Sequence, residues 1–320
     1  MATRIISLAL ALCFLLSACG GKEEPSRGRA SLLAQAAELE EEETLLVIGG
    51  REVPAWRYLY WLGWVCDRLQ RQYDLAEIPL DWEATVTGGT LEEYARDRAL
   101  ADTALYATVE NWAEEYGVSL EESGTKTTLP EEGLTEAQMA ELEEVGGLYA
   151  ALYDLFCTEG SPLAPTEEVL RTFAETQGWL TVEQLLVPYG EDREEARQQA
   201  EELFARFNGA EDQAAEFSVL TENAPPGTLQ LGDGTLEPTL ESAAAVLEVG
   251  QCSGILESAE GFVILRRVET DTGLLKEACF DYLLQQSAEA SLVEVTEAYR
   301  ELSVAEFHQR LLQLREEEKG

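Results

Sequence analysis

Apolar residues recur at intervals of three and four along the first half of this chain, and that interval gives way at Trp179. Trp56, Tyr60, Trp64 and Leu69 follow Pro54 at helical spacing and predict a helix to about Tyr73. Leu91, Tyr94, Leu105, Val109, Trp112 and Tyr116 predict a longer one over 91–116, ended by Gly117. Met139, Leu142, Leu148, Leu152 and Leu155 predict a third over 135–156, weakened in its middle by Gly146-Gly147. Thr166 is placed to cap a short helix through Phe173, with Glu167 and Glu168 in its first turn. Residues 180–187 read instead as a β-strand stopped by Pro188. After it come an amphipathic helix over 191–207, a helical turn near 217–220, a short helix around 240–247, and closing strands at 255–256 and 261–268. A helix over 274–290, a short strand at 293–295 and a last helix from Val304 complete the pattern. Residues 45–48 form a short apolar strand closed by Gly49-Gly50, and 119–133 are polar and loop-like. The expected class is α+β. A mostly helical domain over 44–178, completed by the C-terminal helices of 270–320, accompanies a small domain at 179–269 with an antiparallel or mixed sheet and flanking helices.

Charge narrows the partners. The 320 residues carry 62 acidic and 22 basic side chains, a formal net charge of −40. Such a surface repels phosphate, so no nucleic acid is expected as a partner. The 45% hydrophobic content is that of a globular chain and excludes an acidic disordered polymer. A single histidine, His308, excludes multi-histidine zinc sites and reads as a solvated or capping residue. The acidic runs at 41–43, 131–132 and 316–318 read as solvated faces and lack the spacing of a calcium loop. No metal and no cofactor are expected.

The N-terminus reads as an address. Arg4 precedes an apolar run over 5–16, too short for a bilayer core that needs ~20 residues but suited to a signal peptide. Leu16-Ser17-Ala18-Cys19-Gly20 resembles the lipobox of bacterial lipoproteins. The resemblance implies removal of residues 1–18, lipidation of Cys19 and tethering at the extracytoplasmic face of the cell membrane. Residues 19–43 then form an acidic spacer. Cys66, Cys157, Cys252 and Cys279 remain; two disulfides in any of three pairings, or four buried thiols, are both open.

The order of elements after Trp179 resembles the parvulin-type peptidyl-prolyl isomerase domain. The segment Cys252-Ser253-Gly254-Ile255-Leu256-Glu257-Ser258-Ala259-Glu260-Gly261-Phe262-Val263-Ile264-Leu265-Arg266 is similar to the family's Ser-Gly, apolar pair, polar turn, and Gly-x-His-apolar-apolar run. Residues 234–247 are similar to its segment between pocket and turn, and Val182-Glu183-Gln184-Leu185-Leu186-Val187 stands where the family begins with His-Ile-Leu-Val. The flanks resemble more loosely the lipid-anchored foldases of the PrsA/SurA type. By that resemblance Leu229, Leu236 and Leu240 line the proline pocket, or are simply core. The family's two histidine positions hold Gln184 and Val263, and Ser258 keeps a hydroxyl where Ser or Thr is common.

Isomerisation needs no nucleophile. It needs an apolar seat for the proline ring and stabilisation of a twisted amide against a barrier of about 18–20 kcal/mol. Gln184 cannot become cationic and the side chain of Val263 cannot hydrogen-bond, so isomerase activity is expected to be weak or lost. The expected function is therefore a membrane-anchored foldase or chaperone that binds unfolded or newly secreted polypeptides. An active isomerase with an atypical site around Gln184 and Ser258 is one alternative. A non-catalytic lipoprotein with one dedicated partner is another. Trp56, Tyr60 and Trp64 read as a core stripe, with Tyr58 and Trp61 the better candidates for an exposed aromatic surface.

Overall fold

The computed structural model describes residues 31–120 and 134–319. The leader, Cys19, residues 20–30 of the spacer and residues 121–133, with Glu131-Glu132, lie outside the described residues.

In chain order the elements are α1 (Leu32–Ala37), β1 (Thr44–Ile48), β2 (Arg51–Pro54), α2 (Ala55–Leu75), β3 (Thr85–Val86), β4 (Gly89–Thr90), α3 (Leu91–Tyr116), α4 (Glu136–Cys157), α5 (Glu167–Thr176), β5 (Trp179–Pro188), α6 (Arg193–Asn208), α7 (Gln213–Leu220), β6 (Gly227–Gln230), α8 (Pro238–Val246), β7 (Leu256–Glu257) and β8 (Gly261–Val268). A 3-10 turn (Thr272–Leu275) leads into α9 (Lys276–Ala290), β9 (Val293–Val295), α10 (Glu297–Glu301) and α11 (Val304–Lys319). The chain divides into two compact units, one of residues up to 164 together with 280–320, the other of residues 165–279.

The first unit is built around α2. Leu59, Leu62, Val65 and Cys66 are buried with Leu45, Leu46 and Ile48 of β1 and with Phe307 and Leu311 of α11. The α3 helix approaches α2 closely because its inner face is small, with Ala95, Ala99 and Ala107 buried in the same core. Thr90 and Glu93 cap α3 reciprocally, and Gly117 ends it in the left-handed conformation at φ 66. Gly49 (φ 58) and Gly50 (φ 86) make the tight turn between β1 and β2. On its other side β1 pairs antiparallel with β9, so the C-terminal segment completes a sheet begun at the N-terminus.

Several expectations change here. Residues 31–43 are not wholly a solvated spacer: Ser31 caps α1, and Leu33 and Ala36 are buried in the core. The glutamates at 38 and 40–43 are preceded by apolar residues 32–34 and 36–37, which bury one side of α1. Tyr58, expected outside, is fully buried with its ring edge-on to Tyr299 at 5.1 Å, whereas Trp64 of the expected core stripe is 36% exposed. The reason is that α2 is covered from several sides at once, and Tyr299 arrives from α10, some 240 residues away. His308 is neither solvated nor a cap; it is 3% exposed and edge-on to Trp82 at 5.5 Å. Gly146-Gly147 does not interrupt α4. All four cysteines from Cys66 onward are free thiols. The strands β2 and β6 and the helix α10 have no expectation behind them.

In the second unit the strand order is β6-β5-β8-β7, all neighbours antiparallel. The backbone of this unit is the β5–β8 ladder, which runs from Thr181↔Val268 to Pro188↔Gly261. Alternation along it sends Leu185 and Ile264 to Phe207 and Phe217 of α6 and α7, and Val187 and Phe262 to Ala196 and Ala200 of α6. The other face of the sheet packs against α8 through Leu240 and Ala244. With helices on both faces, β5 has apolar residues on either side of its centre, where Glu183 and Gln184 interrupt the run. Among the described residues no helix is long and apolar enough to cross a membrane.

Two predictions follow from packing. A Cβ on Gly261 would collide with the carbonyl oxygen of Val187 and lie 2.8 Å from the Cα of Pro188. Gly261→Ala should therefore part the end of the β5–β8 ladder and cost roughly 1–3 kcal/mol, read as a lower urea midpoint for this unit. Burial lowers the pKa of His308 from its ordinary 6.5, with Asp67 opposing and Arg315 adding to the shift. Below that pH the unfolded chain takes up a proton that the folded chain refuses, so stability falls as the medium acidifies from about 6.5. A His308→Leu variant should lose that part of the pH dependence in chemical denaturation between pH 7.5 and 5.

Candidate peptide-binding face

Strand period places the candidate residues. In β5, Leu180, Val182, Gln184 and Leu186 share one face of the sheet; in β8, Val263 and Leu265 share the same face, because Leu186 pairs with Val263 and Gln184 with Leu265. Gln184 and Val263 are thus diagonal neighbours, a separation that side chains can bridge. Leu229 joins them from β6, where it pairs with Leu180, and Leu240 joins from α8. Five of the residues singled out from sequence, Gln184, Val263, Leu229, Leu236 and Leu240, therefore belong to this face or the loop and helix packed on it.

Their exposure divides them. Leu229 and Leu240 are each 4% exposed and Val263 is fully buried. These three are interior, so they support the face rather than line an open cleft. Leu236, Leu186 and Leu256 are half-buried members of the same cluster, and Gln184 is exposed beside them. With Leu231 and Leu247, also half-buried, these leucines form the edge of the cluster that a bound chain could touch, beside one amide. Gln184 offers a donor and an acceptor, both uncharged, and the leucines offer neither.

Ser258 lies apart from the cluster, in the β7–β8 turn. Its hydroxyl accepts the N–H groups of Glu260 (3.2 Å) and Gly261 (3.1 Å) and donates to the carbonyl of Gly261 (3.0 Å). Tyr189 donates its hydroxyl proton to the Ser258 carbonyl at 2.9 Å. The hydroxyl is committed to shaping the turn.

The opposite face carries the charge. Glu183 and Arg266 stand directly across the ladder, joined at 2.7 Å and each with only 15% of its side chain exposed. Cys252 bridges to Arg266 on the same side. Burial, with Glu183 adding to it, pushes the Cys252 thiol up to about 11 against the pull of Arg266, so it stays protonated near neutral pH. It is not a nucleophile for the leucine face.

One residue that sequence reasoning passed over closes the edge. Glu237, beside Leu236 and exposed, accepts the N–H of Ala259 on both carboxylate oxygens, at 2.9 and 3.2 Å. This joins the loop before α8 to the β7–β8 turn across 22 residues of sequence, a pairing with no local signal. A surface cavity of about 300 Å³ lies elsewhere, in the first unit, between the β3–β4 turn and the start of α3, with Tyr94, Asp97 and Arg98 on its wall. Among the described residues no group of three or more His, Cys, Asp or Glu could hold a metal ion.

Since Ser258 serves the turn, Ser258→Ala should cost about 1–2 kcal/mol of stability. Turnover or binding of proline peptides by the folded fraction should stay unchanged; a loss of activity at full folding would make the hydroxyl part of the site.

Comparison with known proteins adds the following. Residues 180–269 match the family model of the PPIC-type PPIASE domain, a rotamase. No curated protein matches the chain. Among solved structures, the chain is similar to the foldase protein PrsA from Streptococcus pneumoniae at 12% identity, over 81% of this chain and 84% of that one, with a TM-score of 0.25. It is similar to PrsA from Bacillus subtilis at 14% identity, over 86% and 93%, with a TM-score of 0.21. A SurA-like chaperone of Campylobacter jejuni gives 9% identity over 70% and 87%, with a TM-score of 0.24. At such TM-scores only the family match over residues 180–269 bears on function.

Proposed function

We propose that residues 180–269, a rotamase domain of the PPIC type by their family match, serve a lipid-anchored foldase that holds extended, proline-containing clients outside the cell membrane and isomerises them weakly or not at all. The observation that carries this reading is the content of the leucine face. By resemblance, the positions where this family carries its two histidines hold here an exposed amide side chain, Gln184, and a buried aliphatic one, Val263.

The chemistry follows from what those side chains can do. Twisting an X–Pro amide removes its resonance, returning the lone pair to the nitrogen and leaving the carbonyl less polar than in the planar amide. An apolar seat assists by taking the planar amide out of water. Positioned donors assist further, and losing one typically costs about 10²–10³ in rate. Gln184 supplies one uncharged donor and Val263 supplies none, so seating the proline survives better than turning it over. Anchoring at Cys19 would hold the client site at the membrane, where two acyl chains give stable attachment and one is marginal.

A protease-coupled assay on Ala-Pro peptides tests the chemistry. Turnover should lie at least about a hundredfold below that of histidine-containing domains of this family, and should be flat between pH 5.5 and 8.5, because neither Gln184 nor the leucines titrate in that range. Turnover equal to theirs would overturn the reading. Leu236→Asp, at a half-buried position, should leave the fold intact and weaken the slowing of aggregation of unrelated denatured proteins. Leu240→Asp, at a buried one, should unfold the domain instead.

A further inference from the structure

The loops that border the leucine edge carry one sign of charge. From Phe207 to Leu265 the chain contains no Lys, Arg or His and ten carboxylates, and this stretch supplies β6, the loop before α8, α8 itself and the β7–β8 turn. Within it, three carboxylates are held by backbone donors around the leucine edge. Glu237 takes the N–H of Ala259, Glu241 takes the N–H of Gly232, and Asp233 takes those of Gln230 (3.2 Å) and Thr235 (2.7 Å). Burial works against the Asp233 charge, yet the Thr235 and Gln230 donors hold its pKa below the usual carboxylate range.

The nearest cations are already engaged. Arg266 is paired with Glu183 on the far face of the sheet, and Arg193 with Glu257 at 2.7 Å. Arg267 shares the leucine face as the diagonal neighbour of Gln184, and there it donates to the carbonyl of Leu247 at 3.1 Å. A carboxylate has about four acceptor positions, and Ala259 provides Glu237 with a single N–H. Its remaining capacity faces solvent next to Leu236.

We propose that Glu237 is a specificity residue and that the clients it favours carry Lys or Arg beside the bound proline. This deepens the foldase reading above and rests on it. The proline and its apolar neighbours meet Leu236, Leu186 and Leu256, while the flanking ammonium or guanidinium group meets Glu237, with Asp233 and Glu241 adding to the local potential. An acidic flank is repelled at the same place. Exposed charge pairs of this kind change affinity by about two- to fivefold each and are screened by salt.

The test uses the full chain and three fluorescent peptides that share an Ala-Pro core and differ only in two flanking residues: Lys, Ser or Glu. Anisotropy at 25 mM salt should rank them Lys, then Ser, then Glu, with about a tenfold span that shrinks severalfold at 500 mM. Glu237→Gln keeps an acceptor for the Ala259 N–H and so keeps the turn. It should weaken the Lys peptide about two- to fivefold and leave the Ser peptide unchanged. Equal affinities across the wild-type series would overturn the inference while sparing the foldase reading. A Lys preference undiminished in Glu237→Gln would also overturn it, assigning the effect to the general negative surface. Failure of all three peptides to bind would remove the foldase reading and this inference together.

Discussion

The ladder between β5 and β8 is the constraint on which the candidate site depends. It brings residues 181–188 against 261–268 in one register, and a slip by a single residue would exchange the two faces of the strand that slips. Were β5 the strand to shift, Gln184 would turn toward α6 and α7, and Glu183 would enter the leucine cluster parted from Arg266. The register is secured from both sides: Leu185, Val187, Phe262 and Ile264 need the helices that cover them on one face, and Val182, Val263 and Leu265 need α8 on the other. Gly261 fixes the end of the ladder because nothing larger fits beside Val187 and Pro188.

In a site organised by such a ladder, the apolar support and the polar positions answer to different constraints. The leucines that support the face are core residues, and replacing one by a polar group would cost the unit its stability. The positions that would act on the amide are under no such constraint: Gln184 stands in solvent, and Val263 fills its place by packing alone. Apolar support and catalytic polarity are therefore separable in this fold. The carboxylates at the edge are a third layer, exposed and held by backbone N–H groups.

The other unit obeys a different rule. Its central helix α2 is buried on most of its circumference, by β1, α3, α10 and α11. Burying Tyr58, Trp56 and Leu59 together requires elements from both ends of the chain, and the β1–β9 pairing supplies the connection. His308 belongs to the same arrangement, enclosed beside Trp82 where it does not readily accept a proton. In both units, then, ionisable groups in the interior are either paired, as Glu183 and Arg266 are, or held neutral.

The amino-acid sequence by itself determined what is local: the helices over 91–116 and 135–156, the short helix capped by Thr166, the strand after Trp179, the short strand at 293–295, and the resemblance of 179–269 to a rotamase domain. These follow from period, caps and turn residues, which act over one or two turns of chain. Tertiary structure alone decided which apolar residues are reachable. Leu229, Leu236 and Leu240 are the same residue type at similar local spacing, yet only Leu236 is open at the edge, because β6 and α8 close over the other two. It also decided that Tyr58 is interior, that residues 32–37 are a packed helix, and that Glu237 reaches Ala259. Each of these depends on a partner distant in sequence, and no periodicity in a chain encodes the identity of its distant neighbour.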